Sequence, residues 1–310
     1  MVMTLPSNKK HPGLKFLIAL PLISSVSYAF WALLITESIS FYGSNYVSTL
    51  LIIFTVSAAI ALASALVFKK SMRRKPERFD ILAGIFYAIG NIALFSVVNS
   101  KSLLVVYAIS YMSVLFFLFD GKNIKLLAAS GKKLIGITVA IIVIVASVIY
   151  LYISFNSSYP SSINLFSIAM GLTAAVFYAI GGMLSVRVSY ERESIPSKWF
   201  WISVIEALVT LIAVLAFGFK VTEASIGISA LAGVAIVVPF VLGFISYTYT
   251  KYLRGVRKVV DKELIYSIPE LDILWLAILY GVFIKFLGLG DFAAIAAMVV
   301  SVVYLYMLKA

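Results

Sequence analysis

The 310-residue sequence has no cysteine and a single histidine, His11. The lack of cysteine excludes a disulfide framework and a thiolate metal site. Because His11 lies in a polar N-terminal stretch, imidazole chemistry in the apolar part of the chain is excluded as well. No GxxxxGK[ST] loop occurs, so we do not expect this chain alone to use ATP. We therefore predict no metal site and no cofactor.

Charged residues are also scarce, at 12% of the chain, whereas hydrophobic residues make up 63% and the mean hydropathy is +1.08. Soluble proteins have roughly half of their residues apolar and about a quarter charged. The charges here separate apolar stretches of about 20 residues, the length that crosses a hydrocarbon core of about 30 Å. The sequence therefore predicts an all-α polytopic membrane protein whose solvent is the lipid bilayer.

Ten such stretches stand out, joined by short connections. The predicted spans are residues 14–36, 46–68, 79–98, 103–119, 134–155, 163–186, 199–219, 228–250, 264–286 and 289–308. The first has full span length and lacks a small-residue cleavage signature, so we interpret it as a span and not as a cleaved signal.

The net charge of +12 follows the predicted topology. Of the 25 lysines and arginines, all except Lys101, Lys220 and Lys285 fall on one side of the ten-span arrangement. Lysine and arginine concentrate in cytoplasmic loops. We therefore predict an integral membrane protein, most simply of the plasma membrane, with both termini cytoplasmic, and no nucleic-acid partner.

The second half of the sequence repeats the first. VASVIYLYI at 145–153 matches VVSVVYLYM at 299–307, LAG at 82–84 matches LAG at 231–233, and Tyr28 matches Tyr178, all at offsets between 149 and 159. We predict two five-helix repeats, residues 1–160 and 161–310. An odd number of spans inverts the second repeat, an arrangement that suits alternating access about a site near the midplane. The alternative is an old duplication in a membrane protein that transports nothing.

Three features resemble the drug/metabolite transporter superfamily in its EamA-like branch. They are the first spans of the two halves, SSVSYAFWALL and TAAVFYAIGGML, the LAG starts of spans three and eight, and the span-nine pattern YSIPELDILWLAILYG. The resemblance covers nearly the whole chain. It implies secondary transport of a small organic metabolite, such as an amino acid, an amine or a drug-like solute, through a central cavity between the halves.

Ionisable groups at membrane depth are costly and therefore functional candidates. Glu206, Glu270 and Asp272 lie inside predicted spans. Pro269 should kink its helix and free carbonyls beside the two acids of span nine, which would suit a proton or a cationic amine. Glu270 and Asp272 point in different directions on an unbroken helix, and we prefer Glu270 for the cavity.

Each acid also has a structural alternative. Glu206 would lie near the cytoplasmic boundary and reach Lys198, and a span nine that begins later would leave both of its acids at the interface. Three further acids at span ends are expected to be solvated: Glu37, Asp80 and Asp291.

Aromatic side chains at mid-span offer hydrogen bonds and faces for a cation, although packing alone would also explain them. The candidates are Tyr28, Trp31, Tyr87 with Asn91, Tyr107 with Tyr111, Tyr178 and Tyr266. Small residues let helices approach closely or act as hinges. These candidates are Ser25, Ala29, Gly181 and Gly182.

The leading functional hypothesis is a secondary transporter of a small-molecule substrate, coupled to protons or working by exchange. The alternative is a polytopic membrane enzyme for a lipid-linked substrate, although the sequence lacks the aspartate-rich or histidine motif such chemistry needs. A channel or a transport-inactive scaffold is a third hypothesis. The sequence leaves open whether the chain forms a homodimer.

Overall fold

The structure is a computed structural model that describes residues 14–67, 75–117, 131–159, 163–187, 195–252, 271–284 and 287–307. Within these ranges every regular element is a helix. The helices are α1 (Leu14–Ser40), α2 (Tyr46–Val67), α3 (Arg78–Val97), α4 (Leu103–Ser110), α5 (Ser113–Phe117), α6 (Gly131–Ser158), α7 (Leu165–Arg187), α8 (Ile195–Phe217), α9 (Glu223–Tyr252), α10 (Asp272–Phe283) and α11 (Leu289–Met307).

Six helices are long and apolar enough to cross a membrane: α1, α2, α3, α6, α7 and α8. Four shorter apolar helices lie at 103–116, 223–239, 272–283 and 289–305. Large apolar side chains point outward, such as Leu165 at 81% and Leu289 at 88% exposure. In water such surfaces would drive association, whereas in lipid they are solvated. The prediction of an all-helical, polytopic membrane protein is thus confirmed, and the inverted ten-span repeat stays a prediction.

Helices from the two halves of the chain pack against each other. Among these pairs α1 runs along α9, α3 along α7, α2 along α8 and α9, and α6 along α11. Without a hydrophobic driving force between helices in lipid, such contacts depend on small residues that let backbones approach. Ser25 and Ala29 of α1 are fully buried. They therefore serve close packing, and their role as hinges stays a prediction.

Two glycines in the LAG matches make equivalent contacts in the two halves. A Cβ added to Gly84 would lie 2.8 Å from Ile205 Cβ and 3.0 Å from the Ile202 carbonyl. A Cβ added to Gly233 would lie 2.8 Å from Val56 Cβ and 3.0 Å from the Ile53 carbonyl. The same 149 residues separate Gly84 from Gly233 and Val56 from Ile205. The α3–α8 and α9–α2 contacts therefore match residue by residue.

A second matched pair joins α6 to α11. Gly136 faces the Tyr304 hydroxyl, and Gly290 faces the Tyr150 hydroxyl, each so closely that no Cβ would fit. Both the glycines and the tyrosines are 154 residues apart in the sequence. Each helix therefore supplies a glycine to its neighbour's tyrosine.

The predicted continuous span 103–119 is broken in the structure. After α4, the Met112 amide donates to Ile109 (3.0 Å) and the Val114 amide to Tyr111 (3.2 Å), a three-residue spacing in place of the α-helical four. The tighter turn at Tyr111 and Met112 ends α4 and restarts the chain as α5. Irregular backbone at membrane depth is tolerated where it lines a cavity or is buried in protein.

Asp80 and Asp291 are buried, at 0% and 8% exposure, so the prediction that they are solvated was wrong. The Glu77 amide donates to Asp80 (3.0 Å) at the start of α3, and the Gly288 amide donates to Asp291 (3.1 Å) at the start of α11. The first amides of a helix lack intrahelical acceptors and favour negative charge. Both carboxylates therefore cap helix ends within the packed bundle. Glu37 is partly buried.

Candidate functional site

A cavity of about 330 Å³ lies in the middle of the bundle. Residues of both halves line it: Tyr28, Trp31, Phe54, Ser57, Tyr87, Asn91, Tyr107, Ser110, Tyr111, Ser113, Tyr178, Glu206, Ile236 and Asp272. Nine of the eleven residues predicted for substrate or ion binding are among them. The other two, Glu270 and Tyr266, lie outside the described residues, as does Pro269. Whether the nine bind a ligand stays a prediction.

Helical spacing brings several of these side chains to one face. Tyr87 and Asn91 are four residues apart on α3, and Tyr28 and Trp31 are three apart on α1, so each pair lies on the same side of its helix. Tyr28 and Trp31 meet edge to face, with ring centroids 6.3 Å apart. The rings give the cavity an aromatic wall able to accept the face of an apolar group or a cation.

Glu206 lies on α8 and is 4% exposed. The Asn91 amide nitrogen lies 3.5 Å from Glu206 Oε1, at the limit of a hydrogen bond. The Tyr178 hydroxyl donates to the Asn91 amide oxygen (2.7 Å), which turns the amide nitrogen towards the carboxylate. The Lys198 ammonium instead donates to the Ser185 carbonyl. The alternative in which Glu206 reaches Lys198 at the interface was therefore wrong.

Asp272 lies in the first turn of α10 and is 7% exposed. Each of its oxygens accepts a short hydrogen bond: Oδ2 from the Tyr107 hydroxyl (2.9 Å) and Oδ1 from the Ile273 amide (2.8 Å). Asp272 lines the cavity. The alternative in which a later start of span nine leaves Asp272 at the membrane interface stays untested, because residues 253–270 lie outside the described residues. The preference for Glu270 over Asp272 stays untested.

Among the described residues, both acids of the cavity wall come from the second half of the chain, and serines stand at the matching positions of the first. Ser57 precedes Glu206 by 149 residues, the offset of the LAG match. Ser113 precedes Asp272 by 159 residues, the offset at which Tyr107 matches Tyr266 and Ile109 matches Ile268. Both serines line the same cavity. Sequence reasoning missed them, although extending the repeat alignment to spans two and seven would have paired Ser57 with Glu206.

Ser57 is held firmly in place. The Trp199 indole donates to its hydroxyl (2.9 Å), and the Ser203 hydroxyl lies 3.0 Å away. This bonding joins α2 to α8 beside the cavity. The first-half wall therefore presents neutral hydroxyls where the second half presents carboxylates.

The two predicted hinge glycines of α7 lie next to Tyr87 and Ser185. A Cβ added to Gly181 would lie 2.9 Å from the Tyr87 ring, so this position is packed closely against α3. The Gly182 carbonyl accepts a hydrogen bond from the Ser185 hydroxyl (2.9 Å). Close packing explains Gly181, and the hinge role of both glycines stays a prediction.

A network of hydroxyl groups joins the halves at the end of the bundle where α1 and α8 terminate. Ser38 of α1 lies 3.1 Å from Ser229 of α9 and 3.3 Å from Thr49 of α2, oxygen to oxygen. Beside it, the Asn45 backbone amide donates to the Lys220 backbone carbonyl (2.9 Å), which joins the α1–α2 loop to the α8–α9 loop. We call Ser38, Thr49 and Ser229 the hydroxyl seal. It joins α1, α2 and α9 at this end of the bundle.

In comparisons with known proteins, no family model and no curated protein matches this chain. A protein of known crystal structure has a similar fold: its TM-score is 0.61 and its sequence is 16% identical, over 94% of this chain and 98% of that one. At this identity the likeness shows a shared fold along nearly the whole chain and says nothing of activity.

Proposed function

We propose that this chain is a secondary transporter that moves a small organic solute bearing a cationic amine across the plasma membrane by alternating access. The observation that carries the proposal is that Glu206 and Asp272, both at least nine-tenths buried, line one cavity in the middle of the bundle. Buried charges are expensive unless they are paired. Among the described residues no lysine or arginine lines this cavity, so the solute is the natural source of the positive charge.

The shape of the cavity supports an amphipathic solute. Its volume of about 330 Å³ and its aromatic lining are within the range of pockets that enclose small organic ligands. The rings of Tyr107 and Tyr111, with centroids 6.0 Å apart, lie on the same wall as Asp272. A solute whose ammonium group pairs with the Asp272 carboxylate and whose apolar part lies against the two rings would match both features of this wall.

Alternating access is the expected mechanism because the packing supports two inverted repeats, residues 1–160 and 161–310. The contact of Gly84 with α8 has its counterpart in that of Gly233 with α2. The contact of Gly136 with Tyr304 likewise has its counterpart in that of Gly290 with Tyr150. Two halves with interchangeable contacts can exchange conformations about a shared site. The resemblance to the EamA-like branch of the drug/metabolite transporters belongs to this proposal, as do the cytoplasmic termini.

The test uses purified chain reconstituted into liposomes that contain a pH-sensitive dye. A panel of primary amines, amino acids, sugars and cationic drugs is applied outside, with labelled uptake into preloaded vesicles as a second readout for exchange. We expect amines to be transported, and Asp272→Asn to abolish the signal. Asp291→Asn is the matched control, because Asp291 is a buried carboxylate that does not line the cavity.

Transport of sugars but not amines would contradict the charge argument. Silence in both readouts, from protein that remains folded and monodisperse, would contradict transport and favour the alternative of a membrane enzyme acting on a lipid-linked substrate.

A further inference from the structure

The two carboxylates of the cavity are held in different ways. Both oxygens of Asp272 accept short hydrogen bonds, and the residue lies in the first turn of α10, where the helix favours negative charge. Hydrogen bonds to an ionised acceptor are the stronger kind. Asp272 therefore has the surroundings of a fixed anion whose orientation is set by Tyr107.

Glu206 lacks such support. Its carboxylate has one hydrogen-bond partner among the described residues, the Asn91 amide at 3.5 Å, and it is buried where α8 packs on α2 and α3. An ionised carboxylate left with one long hydrogen bond loses most of its hydration without replacement. Glu206 is therefore stable in the empty cavity when it carries a proton, and stable as an anion when a cation lies beside it.

No other acid or base of the described residues takes this role at the cavity wall. The titratable groups that line it besides the two carboxylates are the phenols of Tyr28, Tyr87, Tyr107, Tyr111 and Tyr178. Of the helices packed on α8, α2 faces the cavity with Phe54 and Ser57, and α3 with Tyr87 and Asn91. Lys198, two turns before Glu206 on α8, does not line the cavity and binds the Ser185 carbonyl.

From this difference we propose that Asp272 binds the cationic group of the solute, whereas Glu206 carries the proton that is exchanged for it. The inference rests on the proposed function and assigns its coupling. When the ammonium pairs with the Asp272 carboxylate, its charge in the shared cavity favours the Glu206 anion. Glu206 then gives its proton to water, and it takes one back when the solute leaves. One proton thus moves against each singly charged solute, and the exchange is electroneutral.

The positions of the acids in the repeat fit this division. Because serines stand at the matching positions of the first half, the described residues give the cavity one set of acids and not two. Under the proposed mechanism, either half can change its conformation without bringing a second pair of carboxylates into the cavity. The same Glu206 and Asp272 therefore serve both orientations of the cavity.

The test measures proton release on binding. Phenethylamine, a singly charged aromatic amine, is titrated by calorimetry into the full-length chain in detergent micelles, in two buffers with different heats of ionisation. We expect wild type and Asp291→Asn to release close to one proton per amine. Glu206→Gln should bind without release, so that its heat is the same in both buffers. Asp272→Asn should lose at least tenfold in affinity, the loss expected for a hydrogen bond to a charged group.

A second measurement needs no ligand. Without amine and at neutral pH, the infrared spectrum of the wild-type protein should contain a carboxylic-acid carbonyl band. The difference between the wild-type and Glu206→Gln spectra should show this band, because Glu206→Gln removes it, whereas Asp272→Asn should retain it. Absence of that band overturns the proton assignment, whatever the transport assay shows. Proton release that persists in Glu206→Gln also overturns it. A band that behaves as expected, with no binding of phenethylamine, supports Glu206 as the proton site and contradicts both Asp272 as an amine site and the proposed solute class.

Discussion

Substitution of Gly233 by alanine tests the close contact between α9 and α2. The added methyl group would lie 2.8 Å from Val56 Cβ and 3.0 Å from the Ile53 carbonyl. Neither atom is the end of a flexible side chain, so the helices themselves must move apart. Overpacking of this kind costs about 1–3 kcal/mol, and rigid neighbours place the cost in the upper half of that range. Alanine recovers about 1 kcal/mol of helix propensity over glycine. We therefore expect a net loss of about 1–2 kcal/mol in unfolding free energy.

The assay is reversible unfolding in mixed micelles, followed by circular dichroism. Gly227→Ala is the matched control, because Gly227 lies in the same helix and a Cβ there would meet nothing within 4 Å. It should leave the protein as stable as wild type or more stable. Gly84→Ala, whose methyl group would meet Ile205 and the Ile202 carbonyl at similar distances, should match Gly233→Ala. If Gly233→Ala were as stable as Gly227→Ala, the close packing of α9 on α2 would be refuted.

Three further predictions concern the hydroxyl seal, the cap of α2 and the orientation in the membrane. Because the chain has no cysteine, the double variant Ser38→Cys with Ser229→Cys should form a disulfide under oxidant and stop solute uptake until reductant is added. Neither single variant should be affected. Uptake that continues in the cross-linked protein would contradict opening at this end. Asn45→Ala removes the oxygen that accepts the Val47 amide (3.0 Å) and should lower unfolding free energy by about 1 kcal/mol in the same micelle assay. In intact cells, a membrane-impermeant thiol reagent should label Lys101→Cys but not Lys75→Cys, and the opposite pattern would invert the predicted topology.

Segment positions were predictable because lipid imposes one rule on every span. The predicted segment 46–68 corresponds to α2 at Tyr46–Val67, and 79–98 corresponds to α3 at Arg78–Val97. A run of apolar residues of the required length, ended by charge or turn residues, leaves the backbone no alternative to helix in hydrocarbon. Hydrophobicity therefore places helices well even where no local propensity is strong.

The break between α4 and α5 was not predictable in the same way. The sequence YAISYMSV contains neither proline nor glycine at the break, and these are the residues that usually mark one. The turn at Tyr111 and Met112 is specified instead by its surroundings, since α4 and α5 both pack on α7 while Tyr111 and Ser113 face the cavity. Only the tertiary arrangement contains that information.

The burial of Asp80 and Asp291 shows a second limit. A carboxylate at a span end looks solvated in a sequence because hydrophobicity falls there. In the folded chain the end of one helix lies against the side of another, and the Ser154 hydroxyl of α6 donates to Asp291 (2.7 Å). The partner is 137 residues away in the sequence. Local composition contains no signal for such a contact.

Glu206 and Asp272 were predictable as candidates for the cavity because the cost of a carboxylate inside a span is independent of such partners. Any carboxylate at membrane depth needs a reason to be there, and Glu206 and Asp272 both line the same cavity. Sequence reasoning did not separate their roles. That difference depends on two hydrogen bonds at Asp272 against one long contact at Glu206, and these distances exist only in the folded chain.

The two halves share their close glycine contacts but differ in the polar side chains at matching positions, as the hydroxyl seal shows. Thr49 and Ser229 of the seal match Lys198 and Asp80 at the 149-residue offset, and all four are buried. A glycine contact must be kept in both halves, because each half needs its neighbour's backbone at the same distance. A polar side chain instead depends on the partners present at its own end of the bundle. Under the proposed mechanism, opening the end with charged groups would expose charges that water solvates strongly, whereas opening the other end would expose hydroxyls, so we expect the two ends to differ in the free energy of opening.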